Sequence, residues 1–248
     1  MDPAQSKRLM QELPRTARVL DVGGGAAPFA RADHVIDALS PDQAGAGSDG
    51  VLGNGGARRL HRASWTQVDL CDRRPWPFAD KSFDFAVCSH VLEDVRDPIW
   101  VCSELSRIAK AGYIETPSRI VEQSLGVESP AYAGYCHHRW LVSRRGSTLE
   151  FRHKPHMLHA VDEAIVQIVP PARKIRPRYA TVQLRWEGSV SAREVLEFNE
   201  GRIIDELCLY AERASRLGDL TEPVPMSLGR RWRKHVLYRR LASGRRCA

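Results

Sequence analysis

Residues 18–29 read Arg-Val-Leu-Asp-Val-Gly-Gly-Gly-Ala-Ala-Pro-Phe, an acid two positions ahead of three consecutive glycines. Glycine accepts backbone angles that a Cβ forbids, so such a loop turns sharply and lets a ligand approach the main chain. Two further acids, Asp37 and Asp69, each close a short apolar run. A carboxylate accepts two hydrogen bonds at once, which suits the paired hydroxyls of a ribose; Asp37 reads either so or as a plain turn acid. Ser89-His90 follows the apolar run 83–88, and Gly-Tyr-Cys-His-His-Arg-Trp occupies 134–140. Five of the nine histidines lie between 137 and 159. His137 or His138 reads as a general base or substrate ligand, since imidazole takes a proton near neutral pH. A metal site of Cys136 with some of these histidines is a second reading. Surface or structural histidines are the third. Pro155 breaks the helix that would align His153, His156 and His159, so no metal site is expected.

These residues need elements to hold them. Val19, Leu20 and Val22 form a short strand that delivers Asp21 and the glycines to its carboxyl end, where open α/β sheets bind ligands. The loop reads as the floor of a pocket for a nucleotide-like cofactor. The dinucleotide fingerprint G-x-G-x-x-G fails here, because Pro28 stands at the third glycine. Residues 34–37 form a second strand, and the connection before it is too short for a full crossover helix. Residues 40–56 hold six glycines and read as a loop. Residues 66–69 form a third strand and 83–88 a buried fourth. Asp97-Pro98 caps and opens a helix that Ala111-Gly112 ends. Residues 113–116 form a fifth strand with Glu115 near its end, a base, a substrate ligand or a cap.

Further on, 141–142 and 149–151 flank Arg144-Arg145-Gly146-Ser147 as a β-hairpin. Residues 179–186 alternate as a late strand at the sheet's far edge. Residues 191–217 carry Leu196, Ile203, Leu207, Tyr210, Ala214 and Leu217 as one stripe of a long helix. Met1 to Leu13 reads as a short leading helix, too polar for a signal peptide.

The block 66–70 with 76–95 resembles the middle motifs of the S-adenosylmethionine-dependent methyltransferases with a Rossmann-like fold, most nearly the type 11 group. There, strand three ends in an acid and a Pro-Phe-x-x-x-Ser-Phe-Asp turn precedes strand four; this chain has Pro77-Phe78 and Ser82-Phe83-Asp84. Asp21 with Gly23 and Gly25 is similar to the family's first motif. The resemblance covers roughly residues 19–118. It implies S-adenosylmethionine as donor, with Gly23 and Gly25 under its methionine portion and Asp37 on its ribose. It also implies Asp69 at the adenine amino group, Leu70 against the ring, and Ser89 with His90 beside the sulfonium. His90, His137 and His138 become the acceptor-side candidates. The chain departs from the family at Asp94, where His is frequent, and lacks the Lys-Pro-Gly-Gly turn after the helix.

Bulk properties agree with one such domain. The chain has 248 residues, 43% of them hydrophobic, and no run long enough to span a membrane. Six scattered cysteines without a C-x-x-C pair point to reduced thiols and a cytoplasmic setting. The net charge of +7 is concentrated in the tail, where Arg230, Arg231, Arg233, Lys234, Arg239, Arg240, Arg245 and Arg246 face no acid. The expected organisation is a methyltransferase domain over 1–225, with core motifs at 18–118 and a cap and hairpin region near 119–160. A basic amphipathic tail over 226–248 follows, packing on the domain or lying on an anionic membrane surface. Nucleic acid is the weakest partner, because no aromatic platform accompanies the charge. The expected reaction is methyl transfer to a small-molecule, glycan or lipid acceptor. The rival is a methyltransferase-like fold without catalysis that docks through its tail.

Overall fold

The computed structural model describes residues 1–45, 64–159, 164–170 and 173–224. The basic tail and most of the glycine-rich stretch after Ser40 lie outside them. The chain divides into two compact units. Unit 1 holds Met1–Thr116, Ser143–Phe151 and Gln183–Glu194; unit 2 holds Pro117–Val142, Arg152–Val182 and Val195–Ala248.

Unit 1 begins with helix α1 (Pro3–Glu12), capped by Asp2, whose carboxylate accepts from the Ala4 and Gln5 amides. Strands β1 (Val19–Val22), β2 (His34–Asp37), β3 (Trp65–Gln67) and β4 (Phe83–Ser89) follow, then helix α2 (Pro98–Ile108) and strand β5 (Ala109–Pro117). The chain continues through α3 (Arg119–Glu122), β6 (Ser124–Leu125), β7 (Trp140–Arg145), β8 (Thr148–His153), β9 (Gln167–Ile168) and β10 (Arg173–Ile175). Then come α4 (Pro177–Ala180), β11 (Thr181–Glu187), β12 (Ser191–Glu194), α5 (Glu200–Ser215) and β13 (Thr221–Pro223).

The main sheet is ordered β11-β5-β4-β1-β2-β3. β1 to β5 run parallel, with Val22 beside Ile36 and Cys88, Asp37 beside Gln67, and Ser89 beside Glu115. All five strands therefore end along one rim. The order reverses between β1 and β4, and ligands of open α/β sheets sit at that reversal. Register places Val19, Val35, Phe85, Val87 and Tyr113 in one apolar cluster with Leu9 of α1. Burying such side chains stabilises the unit by roughly 1.5–3 kcal/mol each before entropy is counted.

The early expectations hold for the leading helix, the four first strands, the missing first crossover helix and the edge position of β11. Four boundaries differ. The late strand starts at Thr181 and not at 179, because Pro177–Ala180 form α4. β3 stops at Gln67, so Asp69 lies beyond the strand, in a turn where its carboxylate accepts from the Cys71 amide at 2.9 Å. α2 stops at Ile108 and β5 starts at once; Gly112 is a strand residue on which a Cβ would stand 2.5 Å from the Ala86 carbonyl and 2.6 Å from the Trp186 ring. The long helix over 191–217 is a strand and a shorter helix. Ser191–Glu194 pairs in parallel with Thr148–Phe151 of β8, and α5 begins only at Glu200, with Asn199 accepting from the Arg202 amide at 3.0 Å. The hairpin is present as β7 and β8, turning at Gly146 with φ +63°, and β12 makes it a three-stranded sheet.

Unit 2 packs around two apolar clusters, one on Leu141, Leu158, Ile165 and Leu207, the other on Ile120, Val121, Val169 and Ala214. Gln123 ties its segments together, donating to the Ile165 carbonyl at 3.0 Å and the Leu207 carbonyl at 3.2 Å. The described cysteines are all free, and Cys71, Cys88 and Cys102 are buried. No helix among the described residues is long and apolar enough to cross a membrane.

Candidate functional site

In unit 1 the site is built at the rim where β1, β2, β4 and β5 end. Gly23 and Gly25 both take left-handed angles, φ +70° and +52°. Gly23 donates to the Ile36 carbonyl at 2.8 Å, tying the loop to β2. A Cβ on Gly23 would stand 2.3 Å from Val91 Cγ2, so the loops after β1 and β4 touch across the reversal. A Cβ on Gly25 would meet only the Gly23 carbonyl, at 4.0 Å. That open face is the cradle. Asp37 accepts from the Gly25 amide at 3.0 Å and from the Leu39 amide at 2.8 Å. Each of its oxygens keeps a further lone pair for a ligand hydroxyl. Asp21 is buried and accepts from the Phe29 amide at 2.6 Å, which closes the loop from behind. Burial raises its pKa to about 7, against the opposing pull of the Phe29 amide.

Across the reversal, Ser89 Oγ is buried with no hydrogen-bond partner among the described residues, and the same is true of Thr116 Oγ1 at the end of β5. An unsatisfied buried hydroxyl costs free energy and marks a place where a polar ligand gains. His90 follows with φ +58°, a region that non-glycine residues rarely enter. Its amide donates to the Glu115 carbonyl at 2.8 Å. Its ring lies between two buried carboxylates, Nε2 3.3 Å from Glu115 and Nδ1 3.3 Å from Glu93. Glu115, then Glu93, hold the His90 pKa up at about 9, so the ring is a cation at neutral pH. Glu115 also accepts from Tyr113 Oη at 2.6 Å and from the Asp2 amide at 2.7 Å. Burial pushes its pKa up, but the His90 and Tyr113 hydrogen bonds outweigh burial and leave it below the usual range.

Asp69 is half exposed and pairs with Arg96 at 2.7 Å. The Cys71 amide, then Arg96, keep its carboxyl below the ordinary range. Leu70 beside it is buried. Asp21, Gly23, Gly25, Asp37, Ser89 and His90 thus come together at one rim. Sequence reading missed Glu93 and Glu115 as a pair around His90, because only folding brings residues 93 and 115 to one ring.

In unit 2, His138 Nδ1 lies 2.8 Å from Glu122 Oε1, and Lys154 Nζ donates to Glu122 Oε2 at 2.7 Å. Glu122 and Lys154 are buried. His137 is exposed and meets the His138 ring edge-on, centroids 4.5 Å apart. Glu128, Cys136 and His137 offer ligand atoms within 4.8 Å of one another, all three exposed. Glu128 already accepts from Tyr132 Oη at 2.8 Å and the Cys136 amide at 3.3 Å. His156 and His159 bound a short 3-10 turn, and the His153 ring meets the His156 ring edge-on, centroids 6.0 Å apart.

A family model described as a methyltransferase domain matches residues 4–146. Among solved structures, the chain is similar to a methyltransferase in complex with the Haloferax volcanii Trm112 methyltransferase activator. That match has 19% identity and TM-score 0.34, covering 46% of this chain and 57% of that one. It is similar to the YcgJ protein of Bacillus subtilis at 22% identity and TM-score 0.35, over 46% and 51% of the two chains. An S-adenosylmethionine-dependent methyltransferase from Mesorhizobium loti gives 20% identity and TM-score 0.36, over 60% and 63%. The chain thus spans between half and two thirds of the length of these structures. No curated protein matches it.

Proposed function

The chain belongs to the methyltransferase domain family, whose donor is S-adenosylmethionine, and from that premise we propose methyl transfer to an oxygen, nitrogen or carbon of a small-molecule, glycan or lipid acceptor. When bound, the donor supplies a methyl group activated by its own sulfonium, so the protein's work is positioning and proton removal. The observation that carries the reading is the cradle: an open left-handed Gly25 whose amide Asp37 holds, at the rim where β4 ends in an orphaned Ser89 hydroxyl.

The residues fit that group. Gly23 and Gly25 pass the backbone beneath the methionine portion, and Ser89 gives a hydroxyl to its polar end. Asp37 keeps acceptor capacity for the ribose. Asp69 and Leu70 take the adenine, Asp69 accepting from the amino group with the oxygens that now hold Cys71 and Arg96. His90, held as a cation, donates a hydrogen bond instead of taking a proton. The intact series of Asp21, glycines and Asp37 counts against a fold that has lost its donor. The setting we propose is cytoplasmic.

Calorimetry with S-adenosylhomocysteine tests the reading. Micromolar binding is expected, weakened at least about tenfold, or about 1.4 kcal/mol, in Asp37→Ala. A chain that binds neither S-adenosylhomocysteine nor the donor would remove the proposal.

A further inference from the structure

In unit 1 the loops after β3 and β4 are stapled together, although β1 and β2 stand between those strands in the sheet. Neighbouring strands lie about 4.8 Å apart, so the ends of β3 and β4 are separated by roughly 14 Å, and only the chain beyond them closes the distance. Three links do so. Arg96 donates to Asp69 Oδ2 at 2.7 Å, Cys71 Sγ accepts from the Asp97 amide at 3.3 Å, and Arg73 pairs with the Asp97 carboxylate. Leu70, between Asp69 and Cys71, is buried, and its carbonyl accepts from Trp76 Nε1 at 3.3 Å. Asp37 closes β2 and the glycine loop follows β1, so the seam spans the two strands that carry the cradle.

The seam does not depend on Arg96. The Arg96 backbone is set from both sides: the Val95 amide donates to the Val91 carbonyl at 3.2 Å, and Asp97 caps α2. The Asp69 and Arg96 side chains are 52% and 57% exposed, and an ion pair so placed adds little to folding. What the pair supplies is direction. Asp69 is gripped by both oxygens, Oδ1 by the Cys71 amide at 2.9 Å and Oδ2 by Arg96. Two donors fix the plane of the carboxylate, whereas the Cys71 amide alone lets it turn about that one bond. The same donors, the amide first, hold it ionised. Each carboxylate oxygen has two lone pairs, so a further one on each points in a fixed direction.

We propose that Arg96 is the positioning residue of the adenine subsite: it turns the Asp69 carboxylate so that a remaining lone pair accepts from the 6-amino group of the donor's purine. The inference rests on the methyl-transfer reading and deepens it, by naming what makes the site select a 6-aminopurine. Arg96 acts through Asp69 and touches no reacting atom. The step is one of recognition, with no bond made or broken.

Calorimetry on the full-length protein compares S-adenosylhomocysteine with its analogue that carries hydrogen in place of the 6-amino group. The wild type is expected to prefer S-adenosylhomocysteine on the order of tenfold, the effect of one hydrogen bond to a charged acceptor. Arg96→Ala and Arg96→Gln are expected to abolish most of that preference, nearly all of the loss falling on S-adenosylhomocysteine, and Arg96→Lys to restore part of it. A residue that only held the loop would weaken both ligands alike and leave the preference unchanged. Equal affinity of the wild type for the two ligands overturns the subsite, whatever the variants do. An unchanged preference in folded Arg96→Ala or Arg96→Gln overturns the positioning role, as does failure of both to fold, which would make the pair structural. Binding of neither ligand by the wild type instead overturns the methyl-transfer reading, and the adenine subsite with it.

Discussion

Gly23 and Gly25 share a backbone region but differ in what surrounds them, and substitution separates the two. An alanine at Gly25 meets open space, so its cost is the left-handed angle alone, about 1–2 kcal/mol. An alanine at Gly23 adds an overlap with Val91, about 1–3 kcal/mol more. Gly25→Ala is therefore expected to lose S-adenosylhomocysteine affinity with a small drop in Tm, and Gly23→Ala to lose both. Equal melting temperatures for the two variants would refute the proposed contact between the loops. Two titrating groups at the same rim give opposite charges but one direction of pH dependence. Asp21 has its folded pKa raised from 3.8 to about 7. The folded state binds the extra proton between those values, so stability falls as pH rises through them, by at most roughly 4 kcal/mol. His90 has its folded pKa raised to about 9, so its contribution is complete below its unfolded pKa of 6.5 and fades as pH climbs through 9. Asp21→Asn keeps an acceptor for the Phe29 amide and is expected to flatten the Tm profile on the acid side only. His90→Asn, which tolerates the left-handed angle, is expected to flatten the alkaline side only. The glycines, Asp21 and Asp37 were legible in the sequence because a loop and its own strand are local. Glu93, Glu115, Glu122 and Lys154 were not, because each acquires its partner only through folding.

Elements were legible where the signal was local chemistry and obscured where a distant strand decided. Asp97-Pro98 marks the start of α2 correctly, with the Asp97 carboxylate accepting from the Trp100 amide at 2.9 Å. Its end was misplaced because Gly112 looks like a helix stop, whereas its missing Cβ makes room for the Ala86 carbonyl and Trp186 in the sheet. Gly112→Ala is thus expected to separate β5 from its neighbours, with a loss of about 1–3 kcal/mol or more in denaturant unfolding. The stripe over 191–217 has helical spacing, yet Ser191–Glu194 is claimed by β8, and Leu196 and Phe198 are left exposed before α5 begins. Pairing overrides local periodicity there. Asn199 carries the true start of α5, and Asn199→Ala is expected to cost roughly 0.5–2 kcal/mol, read as a Tm shift with no change in S-adenosylhomocysteine affinity.

At the scale of the molecule, the chain passes repeatedly between its two units, leaving unit 1 after Thr116, returning for Ser143–Phe151 and again for Gln183–Glu194. The sequence divided the protein by composition, near residue 225, and composition carries no record of which distant strands rejoin a sheet. The family match ends at residue 146, before β11 and β12 have been made. A fragment covering 1–146 therefore keeps the glycine loop, Asp37, Ser89 and Glu115 but leaves β5 as a long open edge beside Gly112. An exposed edge of that kind is a template for association with other chains. It also lacks Trp186, which is buried against Gly112, and the Arg185 partner of Glu12 in α1. Such a fragment is expected to aggregate or to melt without a cooperative transition, and to bind no S-adenosylhomocysteine. The full chain is expected to bind it and to melt cooperatively. Sedimentation and thermal unfolding of the two proteins, side by side, decide the matter: a monomeric, cooperatively folding fragment would show that the donor-binding sheet is complete without the strands that return from beyond residue 180.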